Sequence, residues 1–287
     1  MTTLVRCVSC ARVGMWGLLF VAAGCGPNGT AHDPVDATWL GADAAQPDAA
    51  PGVDSEAPQA DAAPGPDAGP PVDPCEPILG VSYDSMVTVG PVTDRPPDQH
   101  ADLNLKLRGW EITGGFLGLI DIPGPTDALA PKLDTLFAPD RLPAFSTNYA
   151  VYNWDWGSNS RAGLITDWEV TLAGFGTTVG EILELPGSGY DIGGGHQARV
   201  LFADHDSITL KYTGEDNVVQ GYTVHVVGLC VEPALKARYD ADHAAGRAQL
   251  PALYGGQPFG RARGAEIQVA IRDTGAFMDP RSEKDWW

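Results

Sequence analysis

The sequence predicts an all-β domain, mainly antiparallel and sandwich- or barrel-like, with one short helix and a disordered N-terminal tether. Three observations predict it. Apolar residues recur at every second position, as in Ser207-Ile208-Thr209-Leu210-Lys211-Tyr212-Thr213, which is the spacing of a strand with one covered face. Gly, Pro, Asp and Asn interrupt these runs at short intervals, as turns between strands require. Before residue 75 the composition turns to Ala, Pro, Asp and Gly, which cannot bury enough apolar surface to offset the entropy of ordering.

In chain order, residues 1–24 carry Arg6 and Arg12 and then an apolar stretch from about Val13 to Ala23. That stretch is too short for a bilayer, which needs about 20 apolar residues, and has the length of a secretory leader. Cys7 and Cys10 form a CxxC inside this segment, so their redox or zinc potential would leave with it. The run closes on Ala22-Ala23-Gly24-Cys25. A cysteine after these small residues resembles the lipobox of bacterial lipoproteins. The resemblance implies cleavage before Cys25, lipid on its thiol and a place in the cell envelope. Gly26, rather than an aspartate, implies the outer membrane over the inner one. The lipid would be the protein's only membrane contact.

Residues 25–74 read as the tether. From Gly26 to Pro74 there are nine acidic residues and no Lys or Arg. Proline and like-charge repulsion extend such a chain, to roughly 150 Å at about 3.1 Å per residue. The folded part begins at Cys75 and divides into subregions 75–165 and 166–287, expected to form one unit. It holds 28 acidic residues against 16 Lys and Arg, and the whole chain has a net charge of −19. An acidic domain is unsuited to nucleic acid, which needs clustered Lys and Arg. Its two cysteines, Cys75 and Cys230, are expected to form a disulfide in an oxidising compartment.

Strands are expected at Leu103–Leu107, Phe116–Ile120, Asn148–Asn153, Asp167–Leu172, Arg199–Ala203, Ser207–Thr213, Gly221–Val227 and Glu266–Arg272. Residues 121–143 read as a long Pro-rich loop. Gly214-Glu215-Asp216-Asn217 and Asp273-Thr274-Gly275 read as turns. The one helix is expected from Pro233 to about Ala248, weakened at Gly246. The terminal Trp286 and Trp287 are expected to pack back on the domain.

Two groups of residues are candidates for binding or chemistry. In Tyr149–Trp156, alternation lays Tyr152, Trp154 and Trp156 on one face beside Asp155. Exposed, that set suits sugar rings; covered, it is core, and the core reading is the expected one. In the C-terminal third, Gly256-Gln257-Pro258-Phe259-Gly260-Arg261, Glu266–Pro280 and the strand Gly221-Tyr222-Thr223-Val224-His225-Val226 resemble the lysostaphin-type metallopeptidases, with Thr178–Glu181 and Pro186–Gly189 similar to their entry segment. The resemblance covers about residues 166–280 and implies a barrel-like β sandwich. It also implies where zinc ligands would stand, and they are missing. Glu266 and Gln268 occupy the late His-x-His positions, and Trp154-Asp155-Trp156-Gly157 stands where a His-x-x-x-Asp is expected. His225 matches only the family's non-ligand histidine. By alternation Glu266 and Gln268 share one face of their strand, and Gln is a poor zinc ligand. No metal and no cofactor is therefore expected. Gly193-Gly194-Gly195 lacks the Gly-Lys-Ser/Thr of a phosphate loop. Glu181, Glu184 and Asp191 could serve a glycosidase only at a separation the sequence does not specify.

These observations lead to a lipid-anchored envelope protein with a non-catalytic β domain, binding cell-wall glycan or peptide or a protein partner. A divergent metal-dependent peptidoglycan hydrolase, with His225, Glu266 and Asp155 in its site, and a purely structural lipoprotein are the alternatives.

Overall fold

The computed structural model describes residues 73–90 and 94–287. The leader, Cys25 and nearly all of the tether lie outside them. No helix among the described residues is long and apolar enough to cross a membrane.

Among the described residues fourteen strands form two sheets. Eleven belong to the large one. Its path runs through β1 (Asp84–Val87), β11 (Gln249–Leu253), β7 (Ala198–Ala203), β8 (Ser207–Lys211), β9 (Tyr222–Val227), β13 (Glu266–Asp273), β5 (Leu172–Gly176), β3 (Phe145–Asp155) and β2 (Trp110–Ile112). Strand β14 (Ala276–Met278) pairs with β13, and β4 (Ser160–Leu164) with β3. The small sheet is β10 (Leu229–Val231), β12 (Pro258–Ala262) and β6 (Ile182–Glu184). The pairings are antiparallel throughout both sheets. The large sheet is open, because its end strands β1 and β2 do not pair with each other, so the architecture is a sandwich and not a closed barrel.

Alternation explains the layers. One face of the large sheet presents Leu210, Val224, Val226, Val269 and Ile271, all fully buried, toward Leu183, Leu229 and Phe259 of the small sheet. This is the main core. Chain connectivity helps to form it: β9 leaves the large sheet at Gly228 (φ +87°) and continues as β10 in the small one. The opposite face is not open to water either. Thr209, Lys211, Thr223, His225 and Arg272 on it are buried, and Leu105, Val227, Ala270 and Phe277 form a second, smaller core there. A single covered face was expected for Ser207–Thr213; both are covered because the segment around residues 103–108 packs on the second, where the Leu103 carbonyl accepts the Thr209 hydroxyl.

The strands expected at 148–153, 199–203, 207–213, 221–227 and 266–272 coincide with β3, β7, β8, β9 and β13 to within a few residues at their ends. Three expected strands differ. Leu103–Leu107 contributes to a short helix, α1 (Leu105–Arg108), because Asn104 caps it by accepting the Lys106 N–H (3.1 Å) and Gly109 (φ +64°) ends it. Its buried Leu105 packs in the second core, on the second face of the sheet, while Leu103 joins the main core. Phe116–Ile120 is interrupted by Gly118 and makes only an isolated bridge from Ile120 to Ser282, with Phe116 and Leu117 exposed. Over Asp167–Leu172 only Leu172 is in a strand; Thr171 satisfies the Val151 N–H with its hydroxyl instead (2.8 Å).

The long helix α2 spans Pro233–Ala244, stopping short of Gly246 and Arg247, which both take positive φ. Cys75 and Cys230 are joined by a disulfide with Cα atoms 5.2 Å apart, inside the usual range. At the C-terminus, Glu283–Trp286 forms α3; the Trp286 indole donates to the Asp279 carbonyl (2.9 Å), and Trp287 packs against Phe145 and Phe175.

Candidate functional site

The aromatic run of β3 stands at the surface, a correction to the expectation that it is core. Its physical cause is the pairing of β3. Only Phe145–Tyr149 pairs with β5, while the distal half pairs with the short edge strands β2 and β4 and so projects beyond the sandwich. Tyr152 and Trp154 are half-buried and Trp156 is 41% exposed. Trp154 and Trp156 meet edge-on at 6.4 Å, and His100 packs on Trp156 at 5.1 Å. Arg95 lies over Trp156 (5.0 Å) and Arg161 over Tyr152 (6.0 Å), while Glu111 accepts the Tyr152 hydroxyl. Asp155 caps the hairpin turn, accepting the Gly157 N–H (2.8 Å) and the Ser158 hydroxyl (2.6 Å). These bonds hold its carboxyl below the ordinary range.

Glu266 and Gln268 share one face of β13, as alternation requires, and bond to each other (2.7 Å). Strand β5 makes room for them: a Cβ on Gly174 would lie 2.5 Å from Glu266 Oε2. Glu266 also accepts from Ser146, Thr147 (2.9 Å) and Tyr149 (2.7 Å). Burial alone would raise its pKa, but the bonds from Ser146, Tyr149, Gln268 and Thr147 outweigh it, and the carboxylate is held below its ordinary range. With four donors on its two oxygens it is an ion used for structure, poorly placed to accept a further proton or a metal.

His225 lies further along the same face, paired in register with Thr209 and Ala270. Its Nδ1 meets the Thr209 hydroxyl (2.9 Å), and that hydroxyl also reaches the Leu103 carbonyl (2.6 Å). Its Nε2 has no partner among the described residues. Burial, and then the Arg272 charge, pushes the imidazole well below its ordinary pKa, so it is neutral at pH 7. Asp155 does not join Glu266. Tyr149 touches Glu266, and Asp155 follows six residues later on an extended strand, roughly 20 Å away. Among the described residues no three His, Cys, Asp or Glu side chains come together to hold a metal ion.

The remaining acidic candidates separate. Glu181 forms a two-pronged pair with Arg141 (2.7 and 2.8 Å), and Asp191 accepts the Gly193 and Gly195 N–H groups. Glu184 lines a cleft of about 510 Å³ together with Asp140, Ser188 and Gln197; burial and the Asp140 charge raise its carboxyl above the ordinary range.

A fourth arrangement had no counterpart in the sequence reading. Arg108 at the end of α1 and Arg272 at the end of β13 are each only 4% exposed. Both reach the same oxygen of Asp102, at 2.7 and 2.9 Å, and both lie over the Phe277 ring. Burial would raise Asp102, but Arg272 and Arg108 hold it below the ordinary carboxylate range. The one sequence signal was an arginine at the end of an otherwise apolar strand, Val269-Ala270-Ile271-Arg272. Its partners come from 170 and 164 residues away and carried no signal. No family model, no curated protein and no solved structure matches this chain.

Proposed function

We propose that this chain is a lipid-anchored cell-envelope protein whose β domain binds the glycan of the cell wall without catalysing a reaction on it. The observation that carries the binding is the partly exposed aromatic pair Trp154–Trp156 on the β3–β4 hairpin, with Tyr152 beside it across a bulge. Aromatic faces flanked by Glu111, Asp155 and Arg161 match the apolar C–H faces and hydroxyl edges of sugars. The anchor rests on Ala22-Ala23-Gly24-Cys25, and Gly26 supports the outer membrane as its site. The acidic run to Pro74 would serve as the spacer. The absence of chemistry is supported by Glu266, whose acceptor positions are taken, and by His225, which is buried and neutral.

The test is retention of the purified chain on peptidoglycan sacculi. Trp154→Ala with Trp156→Ala is expected to abolish retention while leaving the thermal midpoint within a few degrees. Retention unchanged in the double variant would refute the assignment of the strip. Palmitate labelling, expected in the parent chain and lost in Cys25→Ser, tests the anchor separately.

A further inference from the structure

The Arg108–Arg272 pair opens on space. A pocket of about 130 Å³ is lined by the two arginines together with Asn153, Asp167, Ala276 and Phe277. Two charges enclosed by protein need compensation, because desolvating an ion costs several kcal/mol. Here two guanidiniums share a single buried carboxylate, and they do so through one of its oxygens. His225, stacked against Phe277 at 6.3 Å, is neutral and adds no negative charge. Asp167 stands exposed at the rim and makes no ion pair with either arginine.

The donor inventory leads the same way. Each guanidinium carries five N–H donors. Arg108 directs its bonds to the Ala101 carbonyl (3.0 Å), the Tyr152 carbonyl (3.3 Å) and Asp102. Arg272 directs its bonds to the Gly275 carbonyl, from two nitrogens, and to Asp102. Each therefore keeps N–H groups without an acceptor, beside a pocket the size of a small molecule. The planar fork of a guanidinium suits the two oxygens of a carboxylate, and both forks lie against the Phe277 ring.

We propose that this pocket is a carboxylate-binding site, receiving either a free small carboxylate or the C-terminal carboxylate of a peptide. The spare N–H groups of two guanidiniums whose one buried counter-charge is Asp102 select an anionic acceptor at the inner wall, the volume admits a carboxyl group with about one small substituent, and Asp167 at the rim disfavours ligands with a second negative charge. The pocket is formed by α1, β3, β13 and β14, and β3 contributes Asn153 to it; the side chains of Tyr152, Trp154 and Trp156 do not line it, so the two sites are tested separately.

The test titrates the purified full chain, at constant ionic strength, with acetate, acetamide, tri-alanine and tri-alanine amide, and reads saturation by ligand-observed NMR. Acetate is expected to saturate and acetamide to bind about tenfold more weakly or worse, since a bond to a charged group contributes about 1.5–3 kcal/mol. Ala276→Trp fills the pocket mouth from an exposed position and is expected to remove acetate binding at an unchanged thermal midpoint; Asn153→Trp is the second plug should the first disturb folding. Saturation by acetate alone assigns free carboxylates. Saturation by tri-alanine, with its amide failing, assigns a peptide terminus. Either supports the site. No saturation by acetate or tri-alanine, equal binding of the neutral analogues, or undiminished binding in a folded plugged variant overturns it.

Discussion

Breaking the Cys75–Cys230 bond is expected to lower global stability far more than the few contacts of the 75–83 segment would suggest. The two cysteines are 155 residues apart in sequence. Closing a loop that long removes so much freedom from the unfolded chain that the bridge is worth about 5 kcal/mol by the chain-entropy relation. For a folded unit of this size, about 2–4 °C per kcal/mol converts this to a fall of about 10–20 °C in Tm. The folded state should survive reduction. Ile78 donates to Glu232 (2.8 Å), Tyr83 to the Pro258 carbonyl (2.8 Å), and Arg261 to the Glu76 carbonyl (2.9 Å), all without the disulfide. Urea unfolding followed by tryptophan fluorescence should compare oxidised protein, protein in dithiothreitol, and the Cys75→Ser/Cys230→Ser chain. The last two should agree, with a lower midpoint and a steeper dependence on urea, because the unlinked unfolded chain exposes more surface. A loss below about 1 kcal/mol would refute the loop-entropy reasoning. It would mean that the bridge pins only the local 75–83 segment, or that the reduced unfolded chain already keeps residues 75 and 230 close.

Three further outcomes follow from buried ionisable groups. Lys211 is fully buried, and burial lowers its pKa to about 8 from 10.5, with Glu215 and Asp273 opposing the shift. The cost of keeping it charged is present in full below pH 8 and vanishes as pH rises toward 10.5. Lys211→Met should therefore gain about 3 kcal/mol at pH 7 in urea unfolding and flatten the alkaline rise; no gain would contradict it. His225 stays neutral in the fold, so stability should fall as pH drops below 6.5, where the unfolded chain takes the proton first, by about 1.4 kcal/mol per pH unit. His225→Gln should remove one proton from that slope between pH 6.5 and 5, and an unaltered slope would show that the imidazole titrates normally. Asp216 is fully enclosed against Arg247 (2.6 and 2.8 Å), which also bonds the Leu201 carbonyl. Asp216→Ala should cost about 3–5 kcal/mol by stranding the guanidinium, a value checked by the same unfolding titration.

The strands β8, β9 and β13 were legible because their apolar residues recur at every second position; β7 instead reads as a short continuous apolar run, Val200–Ala203, with a bulge between Val200 and Phe202. The Leu103–Leu107 segment was not, because three alternating leucines over five residues fit either a strand or one helical turn, and the Asn104 cap decided between them. Alternation placed Glu266 and Gln268 on one face, as found, but whether their oxygens were free depended on Ser146, Thr147 and Tyr149 from a strand more than a hundred residues away. For Tyr152, Trp154 and Trp156 the sequence specified a shared face, which a bulge between Tyr152 and Trp154 interrupts, and it did not specify whether anything covers them. That depended on where β5 ends.

The sequence by itself determined the class of fold, the acidic character, the pairing of Cys75 with Cys230 and the position of helix α2. Each of these depends on local spacing or on composition. Only the tertiary structure decided that the sandwich is open, that the aromatic strip is exposed and that Arg108 and Arg272 meet over Asp102 and Phe277. Those outcomes depend on which distant segments become neighbours, and one-dimensional spacing does not encode that.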